Sequence, residues 1–193
     1  MEHNRRHGPI SLHGSFEGRS TRFYDIIARR FLRGVYRRIA EDIALVGPKN
    51  AAVLDIGTGP GALVGQIAWL RPDLRITGID LSADMVRLAR RNTAEFSDRV
   101  SIQQADAANL SFPDATFDLV VTSFSLHHWA DISASGAEIS RVLRPGGHLY
   151  VYDFPRAPFD ALDSAVPAES TRHTAIRTGR MHMKSCIRHV VPV

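Results

Sequence analysis

The chain has 193 residues, a net charge of +4 and a hydrophobic content of 44%, which fit one globular domain able to bury a core. No apolar run approaches the roughly 18 residues that a membrane helix needs, and the first residues lack the apolar stretch of a secretory signal. A single cysteine, Cys186, excludes an internal disulfide and a cysteine metal cluster. These features predict a cytoplasmic protein with no metal site and no membrane insertion.

The charge is distributed unevenly along the chain. Residues 1–47 carry nine arginines against five acids, whereas residues 48–153 carry nine bases against twelve acids. A basic end could attract an anionic acceptor or nucleic acid. The alternative, which we favour, is that the arginines form a solvated face.

The first part of the chain divides into a leader and a helix. Residues 1–20 have no packing pattern and are predicted to be flexible. Over residues 21–47 apolar side chains recur every four positions, which predicts one helix that ends at Gly47. Four arginines fall on another face of this helix: Arg22, Arg29, Arg33 and Arg37. We expect a single domain over residues 21–193, made of this helix, a core over 50–153 and a short closing segment over 154–193.

Strand-like and helix-like segments alternate through the core. The predicted strands are AAVLDI, LRITGID, RVSIQQAD, TFDLVVTSFS and HLYVYDF. The predicted helices are GALVGQIAWL, then ADMVRLARRNTAEF capped by Ser82, then ISASGAEISRVL capped by Asp131. This alternation predicts a doubly wound Rossmann-like α/β fold, with mostly parallel strands and helices on both faces. After the core, a short helix near 159–165 and two closing strands, RHTAIRTG and SCIRHVVPV, are expected.

A glycine-rich turn, Gly57-Thr58-Gly59-Pro60-Gly61, follows the first strand. In an open α/β sheet, ligands bind at this carboxyl end of the strands. Asp80 closes the second strand 19 residues after Gly61, where an acid that grips ribose hydroxyls is expected. In the dinucleotide fingerprint G-x-G-x-x-G the third glycine would come one residue later than Gly61 does. In addition, the Asp55 carboxylate would repel a pyrophosphate but suit a ligand that carries an ammonium group. The pattern therefore favours S-adenosylmethionine over NAD.

The sequence resembles the class I S-adenosylmethionine-dependent methyltransferases of the small methyltransferase-domain type. Four segments carry the resemblance: VLDIGTGPG, ITGIDLS, QQADAANLSFPDATFDLVVTSFSLHHW and RVLRPGGHLYVYDF. The resemblance implies a seven-stranded sheet with an antiparallel last strand. It also implies S-adenosylmethionine as cofactor, with S-adenosylhomocysteine as product.

The resemblance assigns a cofactor role to nine positions. The methionine side would contact Asp55, the turn of Gly57, Thr58 and Gly59, and Ser123 at the end of the fourth strand. The ribose hydroxyls would bind Asp80, the adenine would pack on Leu81, and its amino group and ring would meet Asp106 and Ala107. For Asp55 and Asp106 the alternative is a structural acid that bonds nearby amides. Asp114 and Asp118 precede the fourth strand and are interpreted as turn and edge residues.

Two adjacent histidines, His127 and His128, follow the fourth strand beside the expected methyl position. Either could act as a general base if the acceptor must lose a proton. The alternative is that one of them orders the loop while the other meets solvent. Tyr24 and Tyr36 could line the acceptor site, although core packing is the safer interpretation of aromatic residues on an amphipathic helix.

The acceptor is predicted to be a small molecule with an O, N, S or C nucleophile. Because the closing segment is short, the acceptor site could be shallow, or a second copy or a partner chain could complete it. Three other functions stay open: an RNA or protein methyltransferase that uses the basic surface, an NAD-dependent oxidoreductase, and a non-catalytic protein that keeps the cofactor. Nucleic acid is a possible partner that the sequence does not favour, since no aromatic residues alternate with the arginines to stack bases.

Overall fold

In the part of the chain that the structure describes, seven strands form one sheet in the order β3-β2-β1-β4-β5-β7-β6. The computed structural model describes residues 33–166, 172–176 and 186–192. The strands, in chain order, are β1 Ala52–Ile56, β2 Arg75–Asp80, β3 Val100–Gln104, β4 Phe117–Ser123, β5 Leu143–Asp153, β6 Arg172–Ile176 and β7 Cys186–Pro192. Strand β7 is antiparallel to both neighbours, and the first five strands are parallel. The predicted fold class, including the antiparallel last strand, is confirmed.

Within the described residues, five helices cover the sheet: α1 Arg33–Val46, α2 Ala62–Leu70, α3 Ala83–Asn92, α4 Ile132–Val142 and α5 Phe159–Ala165. Alternate residues of β1 enter two separate cores, Val53 on the side of α1, α2 and α3, and Leu54 on the side of α4 and α5. Helices therefore lie on both faces, as a doubly wound sheet requires. Among the described residues, no helix has the length and apolar character to cross a membrane.

Helix α1 is the described part of the predicted N-terminal helix. Its buried face consists of Val35, Tyr36, Ile39, Ala40 and Ile43. The leader 1–20 and the first twelve residues of the predicted helix, with Arg22, Tyr24 and Arg29, lie outside the described residues. Residues 177–185, which include the end of the first closing strand as predicted, lie outside them as well.

Two of the boundaries that differ from the predictions have a cause that the structure shows. The helix predicted to run through Phe96 ends at Asn92, because the Thr93 hydroxyl donates to the Ala89 carbonyl and a single 3-10 turn, Ala94–Phe96, follows. Strand β5 begins at Leu143 rather than His148. Gly146 has a positive φ of 79°, and the register against β4 shifts at this point, so backbone pairing resumes after an irregularity.

The sheet order places β1 beside β4, where the winding of the chain reverses direction. Their carboxyl ends point to the same edge of the sheet and carry the glycine turn and the segment after Ser123. A doubly wound sheet binds its ligand in the crevice at such a switch point. The fold therefore brings the predicted motifs to one edge.

Candidate active site

The glycine turn after β1 needs glycine at three positions, since Gly57, Gly59 and Gly61 have φ values of 72°, 54° and 78°. At Gly57 a β-carbon would lie 2.4 Å from Ser125, and at Gly61 it would lie 3.1 Å from the backbone of Ala89 in α3. At Gly59 nothing lies within 4 Å. Two glycines thus permit close packing, and Gly59 leaves an open cradle of the kind a ligand fills.

The Asp80 carboxylate is fixed by two backbone amides. Gly59 N donates to Oδ2 at 2.8 Å, and Ser82 N donates to Oδ1 at 2.9 Å. Burial raises the pKa of Asp80, and these two hydrogen bonds oppose the shift. Each oxygen keeps further lone pairs, so the group is held in place and can still accept from a diol. Leu81, directly after it, is 68% exposed and presents an apolar surface beside the carboxylate.

Asp55 is fully buried in β1, and neither carboxylate oxygen has a hydrogen-bond partner within the described part of the chain. Burial raises the pKa of Asp55 to about 7, and the nearby Asp80 carboxylate adds to the shift. An unpartnered buried carboxylate is costly unless a cation or donor reaches it. The ammonium group of a methionine moiety would supply the positive charge that the Asp55 carboxylate lacks as a partner. Asp55 and the open cradle at Gly59 together fit S-adenosylmethionine.

The segment after β3 lies next to Asp80, because Ala105 N donates to the Asp80 carbonyl at 3.2 Å. Asp106 is exposed, and its Oδ1 accepts from Ala108 N at 2.9 Å, which is the loop-ordering role considered as the alternative. Ala107 is half-buried. The carboxyl ends of β1, β2 and β3 therefore lie side by side at the sheet edge where the cofactor is predicted to bind. The roles of Asp106 and Ala107 stay predictions.

Ser123 is buried at the end of β4, and the residue that reaches the glycine turn is Ser125. Its hydroxyl donates to the Ile56 carbonyl at 3.1 Å, shares a hydrogen bond with Thr122 and accepts from the Trp129 indole. Sequence reasoning missed Ser125 because its role depends on contact with a residue 68 positions earlier.

The two histidines have different surroundings. His127 Nδ1 lies 2.8 Å from Asp153 Oδ1, and its backbone N–H donates to Asp153 Oδ2 at 3.4 Å. Asp153 is fully buried at the end of β5 and also accepts from Phe154 N at 2.7 Å. The centroid of the His128 ring lies 4.0 Å from that of the His127 ring, and the two rings are tilted by 45°. Burial and the neighbouring His127 lower the pKa of His128. The site thus contains an Asp–His pair. Asp153 was not among the predicted residues, although it ends the fifth predicted strand.

Aromatic rings line the same edge. Phe124 lies 6.1 Å from Tyr36 and 5.2 Å from Phe154 between ring centroids, and Phe154 lies 5.4 Å from His127. Phe154 is 44% exposed, whereas Tyr36 is buried. Tyr36 therefore supports the rim from the core, and Phe154 forms an open apolar surface next to the histidine.

Asp118 lies at the other end of the sheet. It accepts from Ala52 N at the start of β1 and pairs with Arg144. Asp114 pairs with Arg141 at the surface. Both have the structural roles that the sequence predicts.

A family model described as a methyltransferase domain matches residues 54–151. The chain belongs to this methyltransferase family. The family uses S-adenosylmethionine as its methyl donor, so the predicted family and cofactor are confirmed at this level.

Curated relatives include two methyltransferases with different acceptors. The chain is 37% identical to demethylmenaquinone methyltransferase from Thermus thermophilus over 70% of its own length and 62% of the relative's length. It is 39% identical to 27-O-demethylrifamycin SV methyltransferase from Amycolatopsis mediterranei, over 64% and 47% of the two lengths. The chain thus spans less than two thirds of the length of each of these two relatives.

Two solved structures share the fold of this chain. A candidate S-adenosylmethionine-dependent methyltransferase from Methanococcus maripaludis aligns with a TM-score of 0.77 and 22% identity, over 99% of this chain and 96% of that one. A methyltransferase from Aquifex aeolicus aligns with a TM-score of 0.71 and 19% identity, over 92% and 99%. These likenesses describe architecture alone.

Proposed function

We propose that the protein transfers a methyl group from S-adenosylmethionine to a small-molecule acceptor. The observation that carries this proposal is the buried Asp55 carboxylate without a partner, placed beside the doubly anchored Asp80 at the switch point of the sheet. A pyrophosphate would meet two carboxylates there, which argues against NAD.

The chain's own residues would bind and orient the reactants. Asp55 and the Gly57–Gly59 turn would hold the methionine moiety, Asp80 the ribose and Leu81 the adenine. When bound, S-adenosylmethionine supplies a methyl carbon activated by positively charged sulfur. The remaining task is to align the acceptor and exclude water, and the rim of Phe124 and Phe154 is suited to it.

A small apolar acceptor fits this rim better than nucleic acid does. On the described part of the arginine face, Arg37 pairs with Glu41 at 3.7 Å and is solvent-exposed. Relatives that are named for a menaquinone precursor and for a rifamycin support a small organic acceptor. A cytoplasmic location and a partner that completes the acceptor site stay predictions.

The test is a methyl-transfer assay with methyl-labelled S-adenosylmethionine and a fractionated cell extract. We expect label in the small-molecule fraction with the wild-type protein and much less label with Asp80→Ala at a cofactor concentration below saturation. Label in the RNA or protein fraction would overturn the acceptor class. Absence of cofactor binding would overturn the function itself.

A further inference from the structure

A hollow of about 370 Å³ lies at the amino ends of the strands, between the end of α1 and the first residues of β4 and β5. Its apolar wall consists of Val46, Pro48, Leu119 and Pro145. The glycine turn and the predicted cofactor residues lie at the opposite, carboxyl edge of the sheet, and none of them lines this hollow. The hollow is therefore separate from the methyl-transfer site.

Tyr150 lines the hollow from β5 and is only 7% exposed, yet its hydroxyl has no hydrogen-bond partner among the described residues. Tyr152, two positions further on the same face of β5, is fully buried and donates its hydroxyl to Asp42 Oδ2 at 2.7 Å. Buried tyrosine hydroxyls usually find such a partner. Burial raises the pKa of Tyr150, so the hydroxyl keeps its proton near neutral pH and can donate it. Strand β5 thus presents an unused donor to the hollow.

Arg144 supplies a second donor at the hollow. Its Nη1 donates to Asp118 Oδ1 at 2.7 Å and its Nε to the Ala115 carbonyl at 3.2 Å, which fixes the plane of the guanidinium. Its Nη2 makes no hydrogen bond within the described part of the chain. Asp118 also accepts from Ala52 N through Oδ2, so both of its oxygens are engaged. Apart from the His148 ring, which can donate or accept, the side-chain groups that still lack a partner here are donors.

Two donors beside an apolar wall suit a molecule with acceptor oxygens at one end and a hydrocarbon body at the other. A carboxylate matches a guanidinium better than a neutral carbonyl does, because its hydrogen bonds are charge-assisted. Asp118 already balances part of the Arg144 charge, so a ligand with one negative charge fits better than a dianion.

We propose that the hollow binds a small organic monocarboxylate. Its oxygens accept hydrogen bonds from the Tyr150 hydroxyl and the Arg144 guanidinium, and its hydrocarbon part packs on Val46 and Leu119. The site goes beyond the proposed methyl transfer and does not depend on it.

The probe is 4-fluorobenzoate, whose fluorine resonance reports binding to the full chain. The titration is run with saturating S-adenosylhomocysteine, so that the carboxylate cannot occupy the cofactor edge. We expect saturable binding at one site. The amide 4-fluorobenzamide has the same ring without the charge and should bind roughly tenfold more weakly, the scale of one charge-assisted hydrogen bond.

Tyr150→Phe removes the hydroxyl and keeps the ring, so the affinity for 4-fluorobenzoate should fall roughly tenfold. Tyr152→Phe is the matched control, because it removes a hydroxyl from the same face of the same strand that bonds to Asp42 and does not line the hollow. It should leave the affinity unchanged. Arg144→Gln should remove most of the preference for the carboxylate over the amide. Urea unfolding shows whether each variant is folded.

The proposal is overturned if 4-fluorobenzoate does not bind, if the amide binds equally well, or if S-adenosylhomocysteine displaces the probe. Unchanged affinity in Tyr150→Phe, or an equal loss in Tyr152→Phe, would overturn it too. If S-adenosylhomocysteine itself does not bind, the proposed function fails by itself. The two tyrosine variants then still locate the probe in a titration without it.

Discussion

Gly57 and Ser125 approach each other so closely that a β-carbon on Gly57 would lie 2.4 Å from both Cβ and Oγ of the serine. The contact joins the turn after β1 to the turn after β4. The hydroxyl of Ser125 also bonds to the Ile56 carbonyl, directly before Gly57. The cofactor turn and the turn that carries His127 therefore depend on each other's shape.

Gly57→Ala should lower the affinity for S-adenosylhomocysteine at least tenfold. Alanine at positive φ costs roughly 1–2 kcal/mol, and the new methyl group must also displace Ser125. Gly146→Ala is the matched control, because Gly146 has a φ of 79° but open space around it. Isothermal titration calorimetry checks both variants.

A second substitution separates the clash from the backbone strain. Ser125→Gly removes the atoms that the new methyl group would meet, so the double variant should recover part of the affinity lost by Gly57→Ala. If the double variant binds no better than Gly57→Ala, contact with Ser125 is not the cause of the loss.

Asp80→Ala should reduce cofactor affinity by roughly 10- to 100-fold, the scale of hydrogen bonds to a charged acceptor. The structure shows that Gly59 N and Ser82 N both bond to this carboxylate, so we also expect a lower melting temperature. Asp114→Ala, at the far surface, should change neither quantity. Unchanged affinity in Asp80→Ala would place the ribose elsewhere.

Asp55 should make the protein less stable as the pH rises from about 4 to about 7. Its pKa is about 7 in the folded chain against 3.8 for an ordinary aspartate, so the native state holds a proton that the unfolded chain releases. The stability that this proton contributes is complete below pH 4 and is lost as the pH rises through 7, by roughly 4 kcal/mol at most.

Urea unfolding of Asp55→Asn and the wild type across this pH range measures the effect, which should be absent from the variant. Asp73→Asn is the control: Arg71 lowers the pKa of Asp73, so the stability that this carboxylate contributes is constant above about pH 4 and is lost only in stronger acid. Parallel pH profiles for the wild type and Asp55→Asn would contradict the assignment of a protonated Asp55.

Arg71 should anchor the end of α1. Its guanidinium donates to the carbonyls of Ala44, Gly47 and Pro48 and pairs with Asp73. Arg71→Ala should cost roughly 1–3 kcal/mol of unfolding free energy, and Arg71→Lys should rescue little, because an ammonium cannot reproduce the planar set of donors. Arg87→Ala, an exposed ion pair on α3, should stay near the wild type. Chemical denaturation checks all three.

Much of the fold could be predicted because local signals agree with the tertiary structure. The capping hydroxyl of Ser82 and the carboxylate of Asp131 mark helix starts that the structure reproduces. The irregular start of β5 was missed, since its pairing depends on a register shift against β4 and not on the local sequence.

The site residues also form two groups: those that a sequence motif indicates and those that only the folded structure brings together. Motif spacing was enough to bring Gly57, Gly59 and Asp80 to one edge of the sheet, and their cofactor roles stay predictions. Ser125 and Asp153 were missed because their roles arise from contacts across 68 and 26 residues. Such contacts become visible only when the strands are placed side by side.

Calorimetric titration of the wild-type protein with S-adenosylhomocysteine and, separately, with NAD tests the central claim most directly. The buried Asp55 and the anchored Asp80 predict micromolar binding of S-adenosylhomocysteine, as do the glycine turn and the family. They predict much weaker binding of NAD. Binding of NAD with no response to S-adenosylhomocysteine would contradict the account.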